Sequence, residues 1–392
     1  MTAIVPDIYE GREQALVKHA LLESYLEKLV LIIGMAAKTN GRAEICFVDC
    51  FAGPWGSPDE KLDGTSIALS LRTLEACKAK LASLNVDVRM RALYIEKSAA
   101  PYKRLSEFLK SGVHPTIAHE CRHGDFVDLR AEILAWCGTD AFTFFFIDPK
   151  GWKDVGVETL SPLLKRPRSE FLINFAYNFV NRTVSMKEWQ EAMVRLLGKS
   201  VALSGLSSSE REKTLVNAYR EGLKARVPAS SRGYRARTAY VSVLDPLQRR
   251  TKYHLVYLTS HPTGITEFMD ISEKVDLVQA QVRTVTQLDV RAKNSGVVDM
   301  FTEQAVEEAG DARSSPDEVD QYWLAYLANG ARKIGVPEFA DILESTNWLP
   351  GELQASLMRL VKAGKVQNQD ANASRRRTRP LHFEKAERIC LI

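Results

Sequence analysis

The sequence predicts an α/β chain whose doubly wound, mostly parallel sheet closes with an antiparallel strand pair, followed by a small helical domain with a two-stranded wing. Three observations carry this expectation. Short, continuous apolar runs alternate with helical segments through the first half of the chain, as in a parallel sheet covered on both faces. Two β-rich runs, Arg237–Leu244 and Lys252–Ser260, then follow one another across Asp245 and Pro246, as hairpin strands do. After an acidic stretch around Ser314, Ser315 and Pro316, three helical segments precede two β-rich runs flanking a basic loop.

Each element has its own signal. Leu16, Ala20, Leu21, Tyr25, Leu26, Leu29 and Val30 recur at helical spacing between Gln14 and Ala37, and Asn40-Gly41 stops that helix. Ile45–Asp49 reads as the first strand, Val88–Glu96 as the second, Thr116–His119 as a third, Ala141–Asp148 as a fourth and Phe171–Phe175 as a fifth. Thr65–Lys80, Tyr102–Lys110 and Leu129–Trp136 are the helices between them. Val184–Ala229 is polar, helical and rich in Lys, Arg and Glu, and reads as an insertion or a substrate-side cap. The expected organisation is therefore a first domain over 1–292 with the insertion at about 184–229, a linker over 293–318 and a second domain over 319–392. In that second domain Val319–Leu327, Pro337–Glu344 and Gly351–Ala363 are helical, and Val366–Gln369 and Leu381–Glu384 are the strands of the wing, a winged-helix-like order.

Composition narrows the function classes. The chain is 45% hydrophobic and 26% charged, enough for a substantial core without disulfide or metal staples. The six cysteines are scattered, with no C-x-x-C pair and no His/Cys spacing suited to zinc, so reduced core thiols and no metal are expected. The most apolar run, Leu29–Ala37 between Lys28 and Lys38, is far short of the roughly 20 residues a membrane span needs. With no basic-then-apolar leader pattern, a cytoplasmic protein with no membrane contact is expected. The net charge of +4 names no partner, so the position of basic residues matters more than their sum.

The polar residues at the strand ends carry the chemistry. The first strand runs into Asp49-Cys50-Phe51-Ala52-Gly53, a glycine-bearing turn that lets backbone approach a ligand at the strand's carboxyl end. Glu96 ends the second strand, where a carboxylate binds the ribose hydroxyls of an adenosine cofactor. Asp125 and Phe126 follow the third, placed to accept from an adenine amine and to pack its ring; as isolated carboxylates, Glu96 and Asp125 also read as helix caps. Asp148-Pro149-Lys150-Gly151-Trp152 follows the fourth, where a reacting group would sit. Trp152 reads equally as a stacking platform for a base or as a core aromatic. Asn174, Tyr177, Asn178 and Arg182 follow the fifth strand and line the same mouth. All fall at one end of one sheet, which caps alone explain poorly.

A Rossmann-like sheet with a final antiparallel pair is the class I S-adenosylmethionine (SAM) methyltransferase pattern; a nicotinamide-binding domain stays parallel to its end. The sequence also resembles the three-Cys-motif partner family. The matching residues are Lys18-His19 with Leu22 and Tyr25, Asp49 through Trp55, Thr65-Ser66, Tyr94-Ile95-Glu96, Gly124-Asp125, Ile147 through Trp152, Ile173-Asn174-Phe175 with Asn181-Arg182, and Tyr253 through Val256 with Gly264. The resemblance implies a class I methyltransferase using SAM and a neighbouring three-cysteine, metal-binding protein as partner. The Asp148 loop is similar to the D-P-P-Y loop of enzymes that methylate exocyclic base amines, with Lys150 a departure. Asp148, Pro149 and Trp152 are thereby the expected catalytic residues, and Lys150, Asn174, Tyr177, Asn178 and Arg182 the expected substrate contacts. In the tail, Arg375, Arg376, Arg377 and Arg379 lie between the wing strands, suited to the phosphates of RNA or DNA; such domains also dock proteins.

The expected activity is methyl transfer to a nucleic acid, at an exocyclic base nitrogen. The alternative is a non-catalytic nucleic-acid-binding or adaptor protein with the same fold. Trp55 motivates it, standing where many methyltransferases carry a second glycine; its ring either crowds the methionine end of the cofactor or points outward.

Overall fold

Strands that are mostly apolar along their length must bury both faces, and the central strands of this sheet do so. The structure, a computed structural model, describes residues 6, 9, 12–41, 43–53, 64–112, 114–248, 250–295, 313–371 and 379–392. Trp55, Arg375, Arg376, Arg377 and most of the expected linker lie outside the described residues. Strands β1 (Ala43–Asp49), β2 (Val88–Glu96), β3 (Ala118–His123), β4 (Phe142–Ile147) and β5 (Ser169–Phe175) run parallel; β6 (Arg237–Leu244) and β7 (Thr251–Thr259) complete the sheet. Their order is β3-β2-β1-β4-β5-β7-β6, with β7 antiparallel to both β5 and β6. The chain is thus a doubly wound, Rossmann-like α/β protein with a final antiparallel pair, as the sequence predicts.

Neighbouring residues on one strand serve opposite cores. Phe144 and Phe146 join one apolar cluster, Phe145 and Ile147 the other. The first cluster is covered by α1 (Glu13–Asn40), α2 (Ser66–Ser83), α3 (Ala99–Lys110) and, beyond α4 to α8, α9 (Pro262–Ser295). The second is covered by α4 (Phe126–Cys137), α5 (Val157–Leu164), α6 (Tyr177–Thr183), α7 (Gln190–Leu197) and α8 (Ser208–Lys224). The polar segment read as an insertion is thus a packing layer: Leu215, Val216, Tyr219 and Leu223 of α8 are fully buried, an apolar stripe masked by the Lys, Arg and Glu around it. Helix α9 has no counterpart among the expected elements. Its first turn lies so close to β7 that a Cβ on Gly264 would overlap the Tyr257 hydroxyl, so only glycine fits. None of the described helices is long and apolar enough to cross a membrane.

The C-terminal part has the order α10 (Pro316–Leu327), β8 (Arg332–Ile334), α11 (Val336–Thr346), α12 (Pro350–Lys362), β9 (Val366–Asn368) and β10 (Glu387–Leu391), with a three-stranded antiparallel sheet β8-β10-β9. One expected strand is corrected. Leu381–Glu384 does not pair in the sheet: the Leu381 backbone exchanges hydrogen bonds with the Gln354 side chain, and Phe383–Lys385 forms a 3₁₀ turn. Strand β10 begins only after Ala386, which turns the chain at φ 54°. Strand β8 is too short for its alternation to register in the sequence.

This part shares its core with the large sheet: Trp323, Phe339 and Leu343 belong to the cluster under α1 and α9. Glu344 is the polar anchor. Its buried carboxylate accepts from the Thr238 amide at 3.0 Å, Lys224 Nζ at 2.9 Å and Arg235 at 2.6 Å, while its carbonyl accepts from Arg220 at 2.7 Å. Glu344→Ala leaves the buried Thr238 amide without an acceptor and Lys224 with Glu221 alone, and losing such buried hydrogen bonds to a charged group costs about 1.5–3 kcal/mol. Denaturant titration is expected to show that loss; a change below about 1 kcal/mol would mean the network does not hold the two parts together.

Candidate active site

Parallel strands deliver their carboxyl ends to one edge, and the register brings Asp49 beside Tyr94 and Phe146, and Glu96 beside His123. Asp49 is fully buried at the end of β1. The Ser66 hydroxyl donates to its Oδ2 at 2.7 Å and the Phe51 amide to its Oδ1 at 3.0 Å. Burial nevertheless pushes its carboxyl up to about 6, outweighing those two hydrogen bonds. Ala52 and Gly53 continue the turn, the Ala52 amide donating to the Ile95 carbonyl at 2.8 Å. A Cβ on Gly53 would overlap the Glu96 carboxylate, so glycine lets the β1 turn close directly on that carboxylate. Glu96 is 4% exposed, with Oε1 accepting from the Ser98 amide ahead of α3.

The third unit has cap geometry. Asp125 accepts from the Val127 amide at 2.9 Å, capping α4, and pairs with Lys97 at 2.6 Å. These contacts hold its carboxyl below the ordinary range, the Lys97 hydrogen bond most of all. Phe126 is buried against Phe51, ring centres 5.2 Å apart.

The fourth strand end holds an arrangement that strand patterns could not reveal. Lys18 of α1 forms an ion pair with Asp148 Oδ2, and Asn174 Nδ2 donates to Asp148 Oδ1 at 2.7 Å. Both partners of the ion pair are 17% exposed. Asn174 Oδ1 is buried and accepts no hydrogen bond, which leaves one acceptor open beside Asp148. Pro149 is buried and Lys150 exposed. Trp152 is 7% exposed and meets Trp189 edge-on at 5.6 Å, so of its two sequence readings the core one describes its packing. Beyond β5, Tyr177 is buried against His254, ring centres 5.4 Å apart; Asn178 is half-buried; and Arg182 is exposed, donating to the Asn178 carbonyl and lying over Phe179. Arg379, from the tail, pairs with Glu384 at 3.2 Å and lies over Phe383.

Three residues outside the expected set join this edge. All three, Lys18, Ser66 and His254, belong to the quoted resemblance, but Lys18 and Ser66 do not sit at a strand end. His254 enters because β7 runs antiparallel and so starts where β5 ends; its Nδ1 lies 3.1 Å from the Ser242 hydroxyl and its Nε2 3.3 Å from Glu212.

The donor set suits an adenosine group. Ribose hydroxyls and an adenine amine need acceptors, and the edge offers buried Glu96 and half-buried Asp125 beside a turn that Gly53 brings close to the Glu96 carboxylate. A comparison with protein-family models finds no match, and no curated protein is significantly similar to the chain. Among solved structures, a loganic acid methyltransferase with SAH is similar over 80% of this chain and 89% of that one, at 8% identity and a TM-score of 0.28.

His19, next to Lys18, gives the site a pH signature. It is 7% exposed, hydrogen-bonded to the Tyr9 hydroxyl at 3.0 Å, and pushed down to about 3 by burial and then by Lys18. A histidine that stays neutral when folded but protonates when unfolded contributes full stability above its ordinary value of 6.5, and that contribution shrinks as pH falls. At pH 5 the loss is about 2 kcal/mol. Asp49 acts oppositely, since its raised carboxyl costs stability as pH rises through about 6. His19→Gln should therefore flatten the acid limb of stability between pH 6.5 and 4, relative to wild type, in thermal unfolding at stepped pH. Parallel curves for the two proteins would place His19 in water.

Proposed function

We propose that the protein is a SAM-dependent methyltransferase that acts on an exocyclic amine of a nucleic-acid base. The observation that carries this reading is the open, buried acceptor of Asn174 beside Asp148, at the strand ends where a Rossmann-like sheet holds its ligands. Glu96 would hold the ribose and Asp125 the adenine amine. The cofactor supplies an electrophilic methyl group. An aromatic amine is a weak nucleophile because its lone pair is delocalised into the ring. Two acceptors, Asn174 Oδ1 and Asp148, can take its hydrogens and turn the lone pair outward. As the nitrogen becomes cationic, the Asp148 carboxylate stabilises that charge and is placed to receive the proton released. Lys18 would act as a positioning residue, holding the Asp148 carboxylate in place.

The quoted residues support a place beside the three-Cys-motif partner proteins, and hence a metal-binding three-cysteine protein as partner. The winged-helix-like order of 316–392 and the four tail arginines support contact with phosphates. The adaptor reading also has one observation in its favour: both Asp148 oxygens are already engaged, by Lys18 and Asn174.

Calorimetry with SAM separates the two readings. Wild type is expected to bind, and Glu96→Ala to lose about 1.5–3 kcal/mol, the scale of hydrogen bonds to a charged group. No binding by wild type would favour the adaptor. Asn174→Ala is expected to keep SAM affinity while lowering methyl incorporation into RNA or DNA about tenfold, the worth of one hydrogen bond made in the transition state. Asp148→Asn should retain part of the activity, since its amide oxygen still accepts. Full activity in Asn174→Ala, or label entering only protein, would remove the base-amine reading.

Replacing Arg375, Arg376, Arg377 and Arg379 with alanine should flatten the salt dependence of nucleic-acid binding by up to about 0.9 in logarithmic slope per phosphate contact on duplex DNA. An unchanged slope would take the wing off the phosphates.

A further inference from the structure

Two cavities lie beyond the end of β5, one of about 710 Å³ and one of about 1070 Å³. They share Ser208, Glu212, Leu244, Ala280 and Arg283 in their walls. Tyr177 and Asn178, which follow the strand carrying Asn174, line the first; Tyr322 and Trp348, in the C-terminal part, line the second. Each is the size of a whole small-molecule pocket. Sharing these walls, they form a trough that runs from Tyr177 and Asn178, just after β5, past α8 and α9 to the C-terminal helices.

Most charges along it are already matched. Glu212 meets His254, Arg250 pairs with Asp245, and Arg313 pairs with Asp276 at 2.7 Å. Exposed Lys213 and Glu318 stand at the rim. Arg283 differs. It projects from α9 where the cavities meet, has no ion pair among the described residues, and its Nε is buried with no hydrogen-bond partner. A guanidinium left in that state lacks the planar, anionic acceptor it is built to take. Around it Asn178 and Gln287 bring side-chain amides to the wall, Gln287 already donating one hydrogen to the Pro246 carbonyl at 3.1 Å. Partly exposed Tyr322, stacked on Tyr326 at 5.8 Å and edge-on to Trp348 at 5.3 Å, brings an aromatic cluster into the wall of the second cavity.

We propose that this trough holds a single-stranded segment of the nucleic-acid substrate, with Arg283 on a backbone phosphate and Tyr322 stacking a base farther along. The proposal rests on the nucleic-acid reading above and adds the path of the strand. A phosphate supplies the acceptor Arg283 lacks, and base stacking on an aromatic ring tolerates any sequence. A trough with two cavities in series suits a polymer rather than one nucleotide.

The test uses the full chain and a fluorescent single-stranded oligonucleotide, titrated by anisotropy at several salt concentrations without SAM. Arg283→Ala is expected to weaken binding roughly tenfold and to lower the logarithmic salt slope by about 0.7, the single-strand value for one lost phosphate contact. Arg283→Lys should recover most of both, which guards against misfolding of the alanine variant. SAM affinity should be unchanged in each. An oligonucleotide of the same bases on an uncharged backbone should bind wild type and Arg283→Ala alike. Overturning results are an Arg283→Ala variant with wild-type affinity and slope, or an uncharged oligonucleotide equally sensitive to the substitution. Either would leave the nucleic-acid reading standing. Failure of any oligonucleotide to bind wild type would overturn both.

Discussion

The arrangement depends on one constraint: carboxylates brought to the edge of a dry sheet must find partners there. An ionised group removed from water is costly unless hydrogen-bonded or paired. Each strand end meets this differently. Asp49 has a hydroxyl and an amide, Glu96 an amide, Asp125 an amide and a lysine, Asp148 a lysine and an asparagine. Where the partners are neutral and the burial complete, as at Asp49, the carboxyl is pushed up; where a lysine reaches it from solvent, as at Asp125, it is held down.

Helix α1 ties this edge to the opposite one. Lys18 and Tyr25 are seven residues apart, so they share a helix face about 10 Å apart along its axis. Lys18 reaches Asp148 after β4, while the Tyr25 hydroxyl donates to Glu170 near the start of β5 at 2.7 Å. Glu170 is buried with no cation partner among the described residues; Tyr25 and Thr259 hydrogen-bond it, yet burial wins and raises its carboxyl. Tyr25 also meets the Tyr257 hydroxyl, binding α1 to the antiparallel strand. The position of Lys18 is thus fixed by a polar network at the far end of the sheet, and a change there would be felt at Asp148.

Helix α9 makes the corresponding link on the other side. It is held against β7 by Gly264, supports the C-terminal helices through Asp276 and Arg313, and presents Arg283 to the trough. The Glu344 network ties the same helices to α8 and β6. The candidate site's edge, the trough and the C-terminal part are therefore joined by shared side-chain contacts.

What the sequence determined by itself was whatever depends on local pattern. Strands β1, β2, β4 and β5 show as apolar runs because both faces are buried, and Asp49, Glu96, Asp125 and Asp148 show because each ends a strand or follows one. The hairpin that sets β7 antiparallel shows because only a few residues join its strands. Tertiary structure alone decided the rest. Lys18 lies 130 residues from Asp148, and no spacing rule spans that distance. Helix α9 and the buried stripe of α8 were hidden because polar residues on their outer faces dilute the apolar signal. Strand β10 starts later than its apolar neighbours suggest, since Leu381 satisfies its backbone with Gln354 instead of a strand. Arg283 has no sequence signature, because lacking an ion pair among the described residues is a property of its surroundings: it follows from where the trough's buried carboxylates, Glu212 and Asp276, have already found partners in His254 and Arg313.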